Sequence, residues 1–151
     1  MTVNGESVTA EIEPRLKLSD FLRDYAGTRG VRIGCEHGVC GACTVTLDGE
    51  IVKSCLVYAV QADGAAVTTV EGLTGEDGDL HPIQEAFHQE HALQCGFCTS
   101  GFVMATAELL ERTPDPDRDD IEAGLADNIC RCTGYQNIYD AVTRAAEEVE
   151  D

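Results

Sequence analysis

The sequence predicts an α+β protein built from two unlike halves, on three observations. Up to about residue 73, apolar residues alternate in short runs bounded by Asn-Gly and Asp-Gly pairs. After about residue 80 they recur at helical spacing. Between the two lies a connector rich in Gly and acid, Gly72 to Gly78. We expect domains at 1–73 and 74–151. A chain of 151 residues split this way gives each domain a thin core, and a bound metal centre is a common remedy.

Thr2 and Val3, Asn4-Gly5, then Val8, Ala10 and Ile12 in alternation read as a β-hairpin ended by Pro14. Ser19 is placed to cap a helix presenting Leu18, Phe21, Leu22 and Tyr25, stopped at Gly27. Residues 30–43 are Gly- and Cys-rich and should form a loop. Thr44–Leu47 and Glu50–Val52 make a second hairpin around Asp48-Gly49, and Val67–Val70 a further strand. Four helices are expected near 82–91, 99–112, 119–127 and 137–149. Pro82 suits a first turn. Phe102, Val103, Ala107, Leu109 and Leu110 give the second helix its apolar face, and Pro114 and Pro116 separate it from the third. Ile138, Ala141, Val142, Ala145 and Val149 form the stripe of the last. There is no internal repeat.

The net charge of −18 argues against nucleic acid as a partner. Residues 1–73 hold ten acidic and six basic side chains, and residues 74–151 hold eighteen and four. Yet 93–107 carries no charge, and 128–139 carries only Arg131. Uncharged surface of this kind implies burial or a partner. The remaining acid reads as a solvated face or, more sharply, as adaptation to high salt. No stretch approaches the roughly 18–20 apolar residues that cross a bilayer. With no basic segment and apolar run at the N-terminus, a cytoplasmic chain without membrane insertion is expected.

Eight cysteines form two sets of four. A disulfide framework would need an oxidising compartment, for which no export signal speaks. Cys35, Cys40, Cys43 and Cys55 read C-x4-C-x2-C and then a more distant Cys, the plant-type pattern for a [2Fe–2S] cluster. Gly34, Gly38 and Gly41 let the backbone wrap closely and turn amides toward charged sulfur. Cys35-Glu36-His37 resembles half of a Rieske site, but Cys55 is followed by Leu56, Val57 and Tyr58, so no second half exists. His37 then reads as an exposed loop residue, and His81, His88 and His91 as surface or packing residues.

The second set is Cys95-Gly-Phe-Cys98 with Cys130-Arg-Cys132. Each pair precedes an expected helix, whose N-terminal amides favour thiolates. Structural zinc is the alternative, since four thiolates hold it well. C-x-C is unusual for zinc, and zinc ribbons favour hairpin knuckles over helix ends. A thioredoxin-like pair at Cys95 and Cys98 lacks the βαβ context. On spacing alone, cluster and zinc both stay open.

Three runs together carry a family likeness: G-C-E-H-G-V-C-G-A-C-T-V at 34–45, Q-C-G-F-C-T-S-G at 94–101 and N-I-C-R-C-T-G-Y at 128–135. The chain resembles, over nearly its whole length, the iron–sulfur small subunit of the molybdenum hydroxylases (the xanthine dehydrogenase, aldehyde oxidase and carbon monoxide dehydrogenase family). The resemblance implies a β-grasp, ferredoxin-like N-terminal domain and a four-helix bundle-like C-terminal domain, each with one [2Fe–2S] cluster. It implies a large partner subunit carrying molybdopterin and a medium one carrying FAD. Electrons would run from molybdenum through the helical-half cluster and then the ferredoxin-like one. It also implies that Gln94 hydrogen-bonds the pterin and that Cys132 lies beside it. High acid content at 108–127 departs from the family pattern without touching a ligand.

The expected function is that of a non-catalytic electron-transfer subunit of an oxidoreductase, with no turnover alone. A free ferredoxin or redox sensor would not need an uncharged, Gln-Cys-led surface. A zinc-stabilised interaction module would carry zinc without sulfide. The substrate and final acceptor are set by partners.

Overall fold

The computed structural model describes residues 1–75 and 78–149, Val149 without its side chain. Glu76 and Asp77 of the expected connector, and the Val149 side chain of the expected stripe, lie outside the described residues. The strands are β1 (Thr2–Val3), β2 (Glu6–Ser7), β3 (Thr44–Leu47), β4 (Glu50–Lys53) and β5 (Ala66–Thr68). They form one mixed sheet in the order β2-β1-β5-β3-β4, with β1 and β5 parallel. The helices are α1 (Leu18–Asp24), α2 (Pro82–Gln89), α3 (Thr99–Arg112), α4 (Arg118–Gly124) and α5 (Gln136–Val149).

Both hairpins turn where the dipeptides predict. Asn4 and Gly5 have φ of 51° and 84°, and Asp48 and Gly49 have 51° and 87°. These left-handed pairs match the twist of the flanking strands. The first hairpin is shorter than its alternation suggests. Val8 N–H still reaches the Met1 carbonyl, at 3.0 Å, but residues 8–12 run past the end of the short opposing strand.

Ser19 is not a cap. It is the second residue of α1 and is fully enclosed, while Lys17 holds the N-cap position without a side-chain bond. Leu18, Phe21 and Leu22 are buried as expected, but Tyr25 is exposed and only stacks on Phe21. The fifth strand begins one residue early, and Val70–Leu73 is a 3-10 turn. Further 3-10 turns at Ser54–Leu56 and Ala59–Ala62 carry Cys55 and the back wall of α1.

Each half has its own apolar core. Val3, Leu18, Leu22, Val31, Val45 and Val67 fill the first. Phe87, Phe102, Leu110, Ile121, Ile138 and Val142 fill the second. In the helical half α2 packs on α3 and α5, and α4 bridges α3 and α5. The two halves meet where α3 lies against β3 and β4. There, a Cβ on Gly101 would stand 2.1 Å from the Gly41 carbonyl oxygen, so the two backbones touch directly.

Candidate metal centres

The loop from 30 to 43 threads between α1 and β3 and presents Cys35, Cys40 and Cys43 within one short arc. Cys55 comes from the turn after β4. Ser54, buried beside it, donates its hydroxyl to the Cys43 carbonyl at 2.7 Å and fixes the two strands' ends together. Glu36 and Gly38 take positive φ, and Gly38 lies under the Leu56 side chain. Amides of Val39 and Cys40 donate to Cys35 Sγ at 3.3 and 3.4 Å.

This wrapping separates the thiols electrostatically. Amides, led by that of His37, bring Cys35 down to about 6 against the opposing effect of burial. Burial, aided by its hydrogen bond to Cys43, pushes Cys55 up to about 11. The His37 ring is exposed, and its Nδ1 contacts the Cys35 carbonyl.

In the helical half, Cys98 is the N-cap residue of the 14-residue α3, where unpaired amides and the helix dipole favour negative sulfur. Cys130 and Cys132 lie just before α5, as expected, and the turn of Thr133, Gly134 and Tyr135 between them and the helix supplies donors to sulfur. Cys130 Sγ accepts from Cys132 N–H at 3.4 Å, Thr133 N–H at 3.4 Å and the Thr133 hydroxyl at 3.2 Å. Burial opposes ionisation of Cys130, but these donors hold it below the ordinary thiol value. Burial, with a hydrogen bond to Cys130, pushes Cys98 up to about 12.

The eight sulfurs gather in two sets. Cys55 feels both Cys43 and Cys35, and Cys35 feels Cys40. Cys98 feels both Cys130 and Cys95, and Cys132 Sγ lies 3.6 Å from Cys95 Sγ. Four thiols at each place are a donor set that fits a [2Fe–2S] cluster.

The two sets share a wall. Ile129 N–H, next to Cys130, donates to the Cys40 carbonyl at 3.0 Å. Asn128 is buried against Gly41, whose own Cβ would meet Asn128 Oδ1 at 2.0 Å. No spacing rule exposes that contact. The residues flagged by sequence but not engaged are His88 and His91, both exposed. His81 has a structural role, because its Nδ1 accepts the Ile83 N–H and caps α2.

Gln94, Cys95 and Cys132 are all exposed. Around them Leu93, Phe97 and Ile129 expose 39%, 46% and 46% of their surface. Exposed apolar side chains thus flank the second set, with Arg131 the one charge among residues 93–107 and 128–139. A separate apolar surface, of Val39, Leu56 and Tyr58, lies by the first set.

The fold and its two sets of four cysteines are those of an iron–sulfur protein with two binding regions. Residues 1–73 match the family described as "2Fe-2S iron-sulfur cluster binding domain", and residues 69–143 that described as "[2Fe-2S] binding domain". The chain is 50% identical to the nicotine 6-hydroxylase small subunit of Paenarthrobacter nicotinovorans, over 97% of this chain and 88% of that one. It is 44% identical to aldehyde oxidoreductase of Megalodesulfovibrio gigas, over 97% of this chain but only 16% of that longer one. Quinoline 2-oxidoreductase from Pseudomonas putida 86 superposes with a TM-score of 0.93 at 46% identity, covering 99% of this chain and 93% of the matched one. The chain belongs to the iron–sulfur small subunits of the molybdenum hydroxylases. It carries two [2Fe–2S] clusters and serves electron transfer within a multi-subunit oxidoreductase.

Proposed function

We propose that Cys35, Cys40, Cys43 and Cys55 ligate one cluster and that Cys95, Cys98, Cys130 and Cys132 ligate the other. The single observation carrying this is that the sulfurs gather in two sets of four among amide and hydroxyl donors. When bound, the clusters supply one-electron carriers, and the chain relays electrons from molybdopterin on a large subunit toward FAD on a medium one. Residues 1–73 form a β-grasp ferredoxin-like domain and 74–151 a four-helix bundle-like domain, a division supported by the two separate cores. The apolar face bearing Leu93, Phe97 and Ile129, with Arg131 its one charge, seats the large subunit. Cysteines used as cluster ligands suit the reducing cytoplasm, where disulfides are rare.

On that face Gln94 stands next to Cys95 and is free to hydrogen-bond a pterin, with Cys132 alongside. Gln94→Ala in the assembled complex should leave iron content and both reduced-cluster spectra unchanged. Single-turnover reduction by substrate should slow. Loss of either cluster in that variant would make Gln94 a structural residue, and an unchanged rate would remove it from the pterin contact.

A further inference from the structure

Thr133 is singled out by no spacing rule, yet it meets Cys130 twice. Its amide reaches Sγ at 3.4 Å and its hydroxyl reaches Sγ at 3.2 Å. The hydroxyl is oriented, because Thr133 Oγ1 accepts the Tyr135 N–H at 3.2 Å. With one lone pair so occupied, its hydrogen turns toward the sulfur. Tyr135 closes the arrangement from the other side, its phenolic oxygen accepting the Cys130 N–H at 3.0 Å. The Tyr135 backbone sits at φ 72°, a conformation costly for a non-Gly residue and retained only where surroundings fix it. Those surroundings are the rings of Phe102 and Tyr139, which pack against Tyr135.

We propose that the Thr133 hydroxyl, held by Tyr135, is a hydrogen-bond donor that sets the reduction potential of the helical-half cluster through Cys130. The inference rests on Cys130 being a ligand of that cluster. Reduction adds negative charge that is shared with the ligating sulfurs, and a donor to sulfur stabilises that form more than the oxidised one. Tyr135 acts as a positioning residue, aiming a donor without touching the sulfur.

The test is an EPR-monitored redox titration of the purified holo-complex. Thr133→Val removes the hydroxyl at nearly constant shape and keeps the amide. The helical-half signal should move to a more negative potential, and the other signal should stay in place. Thr133→Ser restores a hydroxyl and should return the potential to the wild-type value. If the valine variant fails to assemble, Thr133→Ala replaces it with the same expectation. A variant with the cluster intact and the potential unmoved overturns the inference, as does a serine variant that shifts as far as valine. A wild-type complex showing only one [2Fe–2S] signal overturns the ligand reading instead, so the two failures are distinct.

Discussion

Gly101→Ala tests how closely the two halves are fitted. Gly101 is buried on α3, and a Cβ there would stand 2.1 Å from the Gly41 carbonyl oxygen, 2.9 Å from its carbon and 3.2 Å from Ala42 Cα. All three are backbone atoms, so no side chain can swing aside. The contact falls 0.9 Å short of the 3.0 Å below which Cβ contacts essentially do not occur. Either α3 or the cysteine loop must move, and the loop is anchored by Ile129 N–H on the Cys40 carbonyl. Overpacking a well-packed interior costs about 1–3 kcal/mol, and the backbone-only contact places this change at about 3 kcal/mol. For a protein of this size that lowers the melting midpoint by roughly 6–12 °C. The assay is thermal unfolding by circular dichroism at matched iron content. Gly75→Ala is the control, since among the described residues its Cβ would meet nothing nearer than the Asp79 carbonyl at 3.7 Å. A Gly101→Ala midpoint within about 2 °C of wild type would refute direct backbone contact at the seam.

Two further perturbations address separate links. His81 caps α2 through an unprotonated Nδ1, and burial lowers its pKa from 6.5. The unfolded chain therefore takes up that proton first, and stability contributed by the cap is present above pH 6.5 and lost as pH falls below it. His81→Asn retains a capping oxygen and should flatten the dependence of urea stability on pH from about 7.5 down to about 5.5; identical slopes for both proteins would remove His81 from the pH response. Cys132→Ala should abolish the helical-half cluster and spare the ferredoxin-like one, so that one reduced-cluster EPR signal survives at unchanged potential. Loss of both signals, or survival of both, contradicts the assignment of Cys132.

Much of this was legible in the residues because the signals were local. Asn4-Gly5 and Asp48-Gly49 demand left-handed turns, and both hairpins sit on them. Apolar spacing after residue 80 gives four helices whose buried residues include Phe102, Val103, Leu109, Leu110, Ile138 and Val142. The cysteine motifs suggest the two cluster-binding regions that the family matches bear out. What stayed hidden depends on contacts distant in sequence. Ser19 looks like a cap, but packing beneath the 3-10 turns draws it into the interior, and α1 starts two residues earlier than that cap implies. The alternation at 8–12 looks like a strand, but β1 is too short to pair with it. The C-x-C pair lies just before a helix as its spacing suggests, but nothing local shows that Gly134 and Tyr135 take positive φ in the turn between them. Asn128, Gly41 and Gly101 acquire their meaning only where the two halves meet.

Metal and sulfide analysis of the purified chain, paired with EPR of the reduced protein, tests the central claim most directly. Two [2Fe–2S] clusters predict about four irons and about four acid-labile sulfides per chain, with two distinguishable reduced signals. Stoichiometric zinc without labile sulfide, or iron and sulfide for one cluster only in fully loaded protein, would contradict the account.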